Sequence, residues 1–232
     1  MIQNDNLILI NMNDYKPILA IETSDIMCSV ALYFSDYKFS TASINMEHSH
    51  SEYLFELIEN LIKTSGIKSA QLGSVAISGG PGSFTGLRIG MAAAKGVASG
   101  AGVPMVVVPT FEALAYQLSF LLSEELIIIA NKVNKDEVYY SKFEIKSNNY
   151  LIVDELTILP IDEFVDQVGE TKVIGNVYSK MNSSQVYTIS SPGAEYIAKW
   201  ALKYGNNLFS NEFDYFEPMY VKNINIKERI KK

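Results

Sequence analysis

The stretch Ser78-Gly79-Gly80-Pro81-Gly82-Ser83-Phe84-Thr85-Gly86-Leu87-Arg88-Ile89-Gly90 sets the frame for the rest of the chain. Leu72 to Ser78 before it reads as a strand, and Leu87 to Ala101 after it reads as a helix. Strand, glycine-rich loop and helix N-terminus together form a geometry that binds phosphate, because unpaired N–H groups and the helix dipole point at the loop. The nucleotide signatures are not met, however. A Walker loop ends in Gly-Lys-Ser/Thr, whereas Gly86 is followed by Leu87-Arg88, and a dinucleotide fingerprint finds Thr85 where its last glycine belongs. The glycines are equally explained by a tight turn and close helix packing. If the turn does take a nucleotide, the contact candidates are Thr23, Ser24, Gly80, Gly82 and Arg88. Arg88 and Arg229 are the only arginines among 19 basic residues. The choice of a planar five-donor fork suits a carboxylate, a phosphate or backbone carbonyls, and a bridge that holds the fold is an equal reading.

Upstream, Ile18-Leu19-Ala20-Ile21 is a buried-strand run that ends in polar Glu22-Thr23-Ser24-Asp25, as at a turn. Ser29 to Phe34 and Lys38 to Asn45 follow as β-prone segments of an antiparallel meander. Ser49 and Glu52 have capping-box spacing, and Leu54, Leu57, Ile58, Leu61 and Ile62 recur at helical spacing until Gly66. Downstream, Met105 to Val108 reads as a strand and Thr110 to Leu122 as a helix. The order βββαβαβα implies a mixed sheet carrying helices. The second half loosely echoes it. Leu126 to Ala130, Glu137 to Ile145, Leu151 to Leu159 and Val173 to Gly175 read as strands, and Ile161 to Val168 as a helix. A last helix starts at Ser191-Pro192, with Ser191 as cap, and runs to Tyr204. Lys222 to Lys232 holds five cations against Glu228, as a solvated tail or a docking arm.

A chain of 232 residues, 48% hydrophobic, can bury a sizeable core, which excludes a disordered or fibrous protein. A net charge of −7 disfavours autonomous nucleic-acid binding. Cys28 is the only cysteine, so neither a disulfide framework nor a thiolate metal cluster can be built, and a reducing cytoplasm fits. Residues 1–6 lack the positive region of a signal peptide, and no window is long enough to span a membrane.

On a helical wheel Gly86, Gly90, Ala93, Ala94, Val97 and Ala101 share one side of the helix after the turn, leaving a narrow polar strip of Arg88, Lys95 and Ser99. So wide an apolar arc is covered on more than one side. Small residues let a second helix approach closely, either within the chain or from a partner. His48 and His50 are the only histidines. Without an obvious third ligand they read as helix-entry residues, Cys28 reads as a small core residue, and no metal site is expected.

Ile18 to Ser24, His50-Ser51-Glu52, the stretch Ser78 to Gly90 and Ala94-Lys95-Gly96 resemble the TsaB (YeaZ) family, strongly from Ile18 to about Ala115. Further on, Asp136 to Tyr139 and Glu217 to Tyr220 resemble its later landmarks. The resemblance implies an α/β fold of the actin-like ATPase (ASKHA, ribonuclease H-like) class with duplicated βββαβαβα lobes. The expected layout is an N-terminal extension over 1–17, a first lobe over 18–115 with the partner-binding helices, a second lobe over 116–222 and a basic tail over 223–232. The implied function is that of a non-catalytic scaffold and activator in forming N6-threonylcarbamoyladenosine at position 37 of ANN-decoding tRNAs. It implies a heterodimer with the TsaD transferase, joined by the ATPase TsaE, with tRNA held indirectly through the complex and no cofactor in this chain. Two first-lobe helices, here about Ser51–Thr64 and Leu87–Ala101, would form the contact. The expected interface residues are Leu54, Leu57, Ile58, Leu61, Gly86, Gly90, Ala93, Ala94 and Val97. The same helix pair could form a homodimer in the absence of TsaD.

Departures from the family pattern are visible too. The chain lacks the His-x-x-x-His pair of TsaD's metal site, has Glu22 where many members have Asp, and has Asn131-Lys132-Val133 where an acidic-x-Arg pattern is common. The competing readings are a peptidase or small-molecule kinase on the same fold, and a nucleotide-binding regulator that uses the glycine-rich turn.

Overall fold

The computed structural model describes residues 16–46, 49–177 and 186–219. Ile18–Glu22 (β1) is buried on both faces, as a continuous apolar run requires. It pairs antiparallel with Met27–Ser35 (β2), which pairs antiparallel with Lys38–Asn45 (β3). Ser49–Thr64 (α1) crosses to Ser74–Gly80 (β4), parallel to β1, and Phe84–Ala101 (α2) crosses to Met105–Pro109 (β5), parallel to β4. Thr110–Leu118 (α3) leads out of this sheet, whose order is β3-β2-β1-β4-β5.

The second sheet repeats the plan. Glu125–Lys132 (β6), Glu137–Lys146 (β7) and Asn149–Pro160 (β8) form the antiparallel meander, Ile161–Val168 (α4) follows, and Lys172–Ile174 (β9) and Val186–Tyr187 (β10) run parallel to β6. Its order, β8-β7-β6-β9-β10, matches the first strand for strand. Ala194–Lys203 (α5) closes the chain's regular structure. This duplicated α/β arrangement is the actin-like architecture, and no helix among the described residues is long and apolar enough to cross a membrane.

Five layers result. α1 and α2 cover the outer face of the first sheet, α4 covers the outer face of the second, and α3 and α5 lie between the sheets. The alternation of β1 sorts its side chains accordingly: Leu19 and Ile21 face α1 and α2, while Ile18 and Ala20 face the central core.

Several boundaries differ from the sequence reading. α2 starts at Phe84 rather than Leu87, because the Ser83 side chain caps it by accepting the Gly86 N–H at 3.2 Å. α3 stops at Leu118 rather than Leu122, where Ser119 Oγ donates to the Tyr116 carbonyl and the chain turns. α5 starts at Ala194, with Gly193 and not Ser191 at its cap; Gly193 N–H donates to Gln117 Oε1 of α3, so a tertiary contact fixes the entry. Glu22, read as the start of a polar turn, is the fully buried last residue of β1. The capping role of Ser49, the basic tail and the segment before Lys16 lie outside the described residues or side chains.

Candidate functional site

The glycine-rich turn is pressed against the end of β1. Ser83 N–H donates to the Ser24 carbonyl at 2.6 Å, and Gly80 N–H donates to Thr110 Oγ1 at 3.0 Å. A Cβ on Gly82 would lie 2.3 Å from the Ser24 carbonyl oxygen, one on Gly86 2.1 Å from that of Thr23, and one on Gly90 2.1 Å from Thr23 Oγ1. These three glycines are thus required by the close approach of α2 to the β1–β2 turn. Of the nucleotide candidates, Thr23 and Ser24 are buried beneath the turn, Gly80 takes a left-handed conformation at φ +113°, and Gly82 packs on Ser24. Arg88 stands apart on the exposed side of α2, with its guanidinium 3.8 Å from the centre of the Phe84 ring.

Under the turn, Glu22 accepts the Ser24 N–H through Oε1 at 2.5 Å. Burial pushes its carboxyl up to about 7, against hydrogen bonds from Ser24 and Ser78 that pull it down. His50 is buried at the entry of α1, and desolvation lowers its pKa against the pull of the Asp25 and Met27 carbonyls. It therefore favours the neutral imidazole. His48 lies outside the described residues, and among the described ones no group of three or more His, Cys, Asp and Glu side chains is placed to hold a metal. Cys28 is fully buried, and burial pushes its thiol up to about 11, far from a reactive thiolate.

Between the lobes lies a cavity of about 380 Å³ lined by Ser24, Asp25, Gly82, Asn131, Tyr139 and Asn176, among others. Asn131 organises its second-lobe wall: Nδ2 donates to the Ser190 carbonyl at 2.6 Å, and Oδ1 accepts the Asn176 N–H at 3.1 Å. Asp25 accepts a hydrogen bond from Ser190 Oγ, which ties the β1–β2 turn of one lobe to the other. The sequence reading missed Asn131 and Asn176 as cleft residues. Their only signal is position, at the ends of β6 and β9, which repeat those of β1 and β4.

The two first-lobe helices place the expected interface residues unevenly. Leu54, Ile58, Leu61, Gly86, Gly90, Ala93 and Ala94 are buried in the chain's own core, and Leu57 and Val97 are half-buried. The regular apolar spacing of each helix faces the sheet it covers. A different set faces solvent. Thr85, Ala92, Gly96 and Gly100 form an exposed stripe along α2 at three- to four-residue spacing, with half-buried Ile89 within it. A Cβ on Gly96 or Gly100 would meet nothing within 4 Å. α1 packs beside α2 and carries Phe55, 60% exposed. The wheel combined with a choice of the sheet-facing side would have found this second face.

A family model described as "TsaD: tRNA N6-adenosine threonylcarbamoyltransferase" matches residues 44–212. The chain is 32% identical over 125 residues to the tRNA threonylcarbamoyladenosine biosynthesis protein TsaB of Haemophilus influenzae, covering 54% of this chain and 52% of that protein. It therefore spans about half the length of that relative. With the TsaB protein of Buchnera aphidicola subsp. Baizongia pistaciae it shares 28% identity over 195 residues, covering 78% of this chain and 87% of the relative. The solved structure of YeaZ from Pseudomonas aeruginosa superposes with a TM-score of 0.75 at 21% identity, covering 88% of this chain and 99% of that one, so the fold is shared. The chain belongs to the family that the transferase model describes and, by its relatives, to the TsaB (YeaZ) line within it.

Proposed function

We propose that this chain acts in the formation of N6-threonylcarbamoyladenosine on tRNA, as a non-catalytic scaffold that pairs with a TsaD-type transferase. The kinship supports the pathway. The observation that carries the pairing is the solvent-facing stripe of α2. An 18-residue helix that already covers its own sheet presents Ala92, Gly96 and Gly100 outward, where another helix backbone can approach closely. Phe55 on the neighbouring α1 offers an apolar anchor beside it. The transferase would supply the metal and the tRNA contacts, since this chain lacks the His-x-x-x-His pair. TsaE would join the assembled pair.

The test uses Ala92→Arg and Phe55→Glu, both at exposed positions where the fold tolerates change. Each variant is expected to leave the unfolding midpoint in place and to abolish co-purification with the transferase. In cells depleted of the native chain, neither should restore threonylcarbamoyladenosine in bulk tRNA as measured by nucleoside mass spectrometry. Full restoration by both would sink the pairing surface, and an unchanged nucleoside level on depletion itself would sink the pathway.

A further inference from the structure

After α5 the chain runs back across the first lobe. Ser210 and Met105 exchange two backbone hydrogen bonds of 2.9 Å, Lys95 Nζ donates to the Asp214 carbonyl at 2.7 Å, and Met219 N–H donates to the Gly79 carbonyl at 2.7 Å. The return segment is thereby pinned beside the glycine-rich turn. Met219 forms one wall of an interlobe groove of about 370 Å³, on whose other walls are Phe143, Ile152 and Leu156 and the carboxylate side chains of Glu112 and Glu155. Burial raises the pKa of Glu112, and the charge of Glu155 raises it further, against a hydrogen bond from Tyr150 OH at 2.5 Å. Among the described residues neither carboxylate pairs with a cation. A cation seated between them would offset both effects.

Residues 220–232, outside the described ones, continue directly from Met219. They carry Lys222, Lys227, Arg229, Lys231 and Lys232 against a single Glu228, in a chain whose net charge is −7. Ile224 and Ile226 alternate with Asn223 and Asn225. Fully extended, such a segment reaches roughly 40 Å, and it departs from Met219, which itself lines the groove.

We propose that residues 220–232 dock in this groove of their own chain, with Ile224 and Ile226 against Ile152 and Leu156, and Lys222 or Lys227 beside Glu112 and Glu155. The charge, the apolar content and the point of departure all match this one occupant. Docked there, the tail screens two carboxylates that otherwise repel each other.

The experiment places a nitroxide on Asn225→Cys in the full-length, methyl-labelled protein; Cys28 is fully buried, so the added thiol is the one that reacts. The Ile152 and Leu156 methyl signals are expected to broaden, independently of protein concentration, and to recover when the nitroxide is reduced. Glu155→Lys, at an exposed position, should cut the broadening several-fold, as should Lys222→Glu combined with Lys227→Glu. Raising the salt should act in the same direction. Absence of broadening, broadening that grows with concentration as for a second copy, or indifference to Glu155→Lys would each overturn the proposal. Unshifted Leu19 and Ile21 methyl signals certify that the variants are folded.

Discussion

Glu22 couples the interior of the first lobe to pH. Its carboxyl sits at about 7 in the folded chain, against an ordinary value near 4.5, because burial disfavours the charge more than Ser24 and Ser78 favour it. Between those values the native state holds a proton that the unfolded chain has released. Stability from this group is therefore complete below about pH 4.5 and falls as pH rises through 7, by about 3 kcal/mol in all. Glu22→Gln removes the titration while keeping the shape. Urea unfolding at pH 5 and pH 8 should show the native chain losing about 2 to 3 kcal/mol relative to the variant across that interval, since a little of the effect is already lost at pH 5; parallel profiles would disprove it. The glycines of α2 offer a second test. Gly90→Ala drives a Cβ against Thr23 Oγ1 and should cost about 1 to 3 kcal/mol, whereas Gly96→Ala points into open space and should stabilise by about 0.5 to 1 kcal/mol. Equal effects at the two positions would contradict the assignment of an inner and an outer face to α2.

Helices and strands meet through a small number of polar joints, and one of them can be tested directly. Tyr150 OH on β8 donates to Glu112 on α3 and accepts the indole N–H of Trp200 on α5 at 2.8 Å, while the Tyr150 ring stands edge-on to Phe143 and Tyr204. Tyr150→Phe keeps the rings packed but strands the buried indole donor and removes the hydroxyl from Glu112, at a cost of about 1 to 3 kcal/mol in chemical denaturation. A loss within 0.3 kcal/mol would mean that water replaces the hydroxyl with little penalty. Joints of this kind also mark where the sequence ceased to be legible. The strand–glycine turn–helix unit could be read because Gly82, Gly86 and Gly90 repeat every four residues, and the β1 and α4 patterns were equally local. The entry of α5 could not be read, because Gln117 of α3 supplies the partner for Gly193 N–H from 76 residues away. Nor could the proposed partner surface. Periodicity shows that Leu54, Ile58, Ala93 and Ala94 belong to apolar faces, but a chain's own sheet and a foreign helix make the same demand on spacing. Only the position of the sheet distinguishes Ala94 from Ala92.

The order of layers makes the two lobes one mechanical body. The central core draws Ile18, Ala20, Ala31 and Ala76 from the first sheet and Ile127, Ile129, Phe143 and Ile145 from the second, with α3 and α5 between them. α5 follows the second sheet in sequence yet packs on β1, β2 and β4 of the first, and α3 packs on β7 and β8. Each lobe therefore lends the other a helix. An intermediate with one lobe unfolded would strip the apolar cover from the inner face of the other, a cost that loosely apposed domains do not face. Chains of this length often unfold in steps, but this arrangement predicts a single cooperative transition. Trp200 is the only tryptophan, sits in that shared core at 5% exposure, and reports on the junction by fluorescence. Its urea transition should coincide in midpoint and slope with the far-UV circular dichroism transition, which averages over both lobes. A fluorescence change that precedes the loss of secondary structure would show that the lobes part before they unfold. The helix pair α1 and α2 would then stand on a lobe that moves, rather than on the rigid frame that the proposed scaffold role requires.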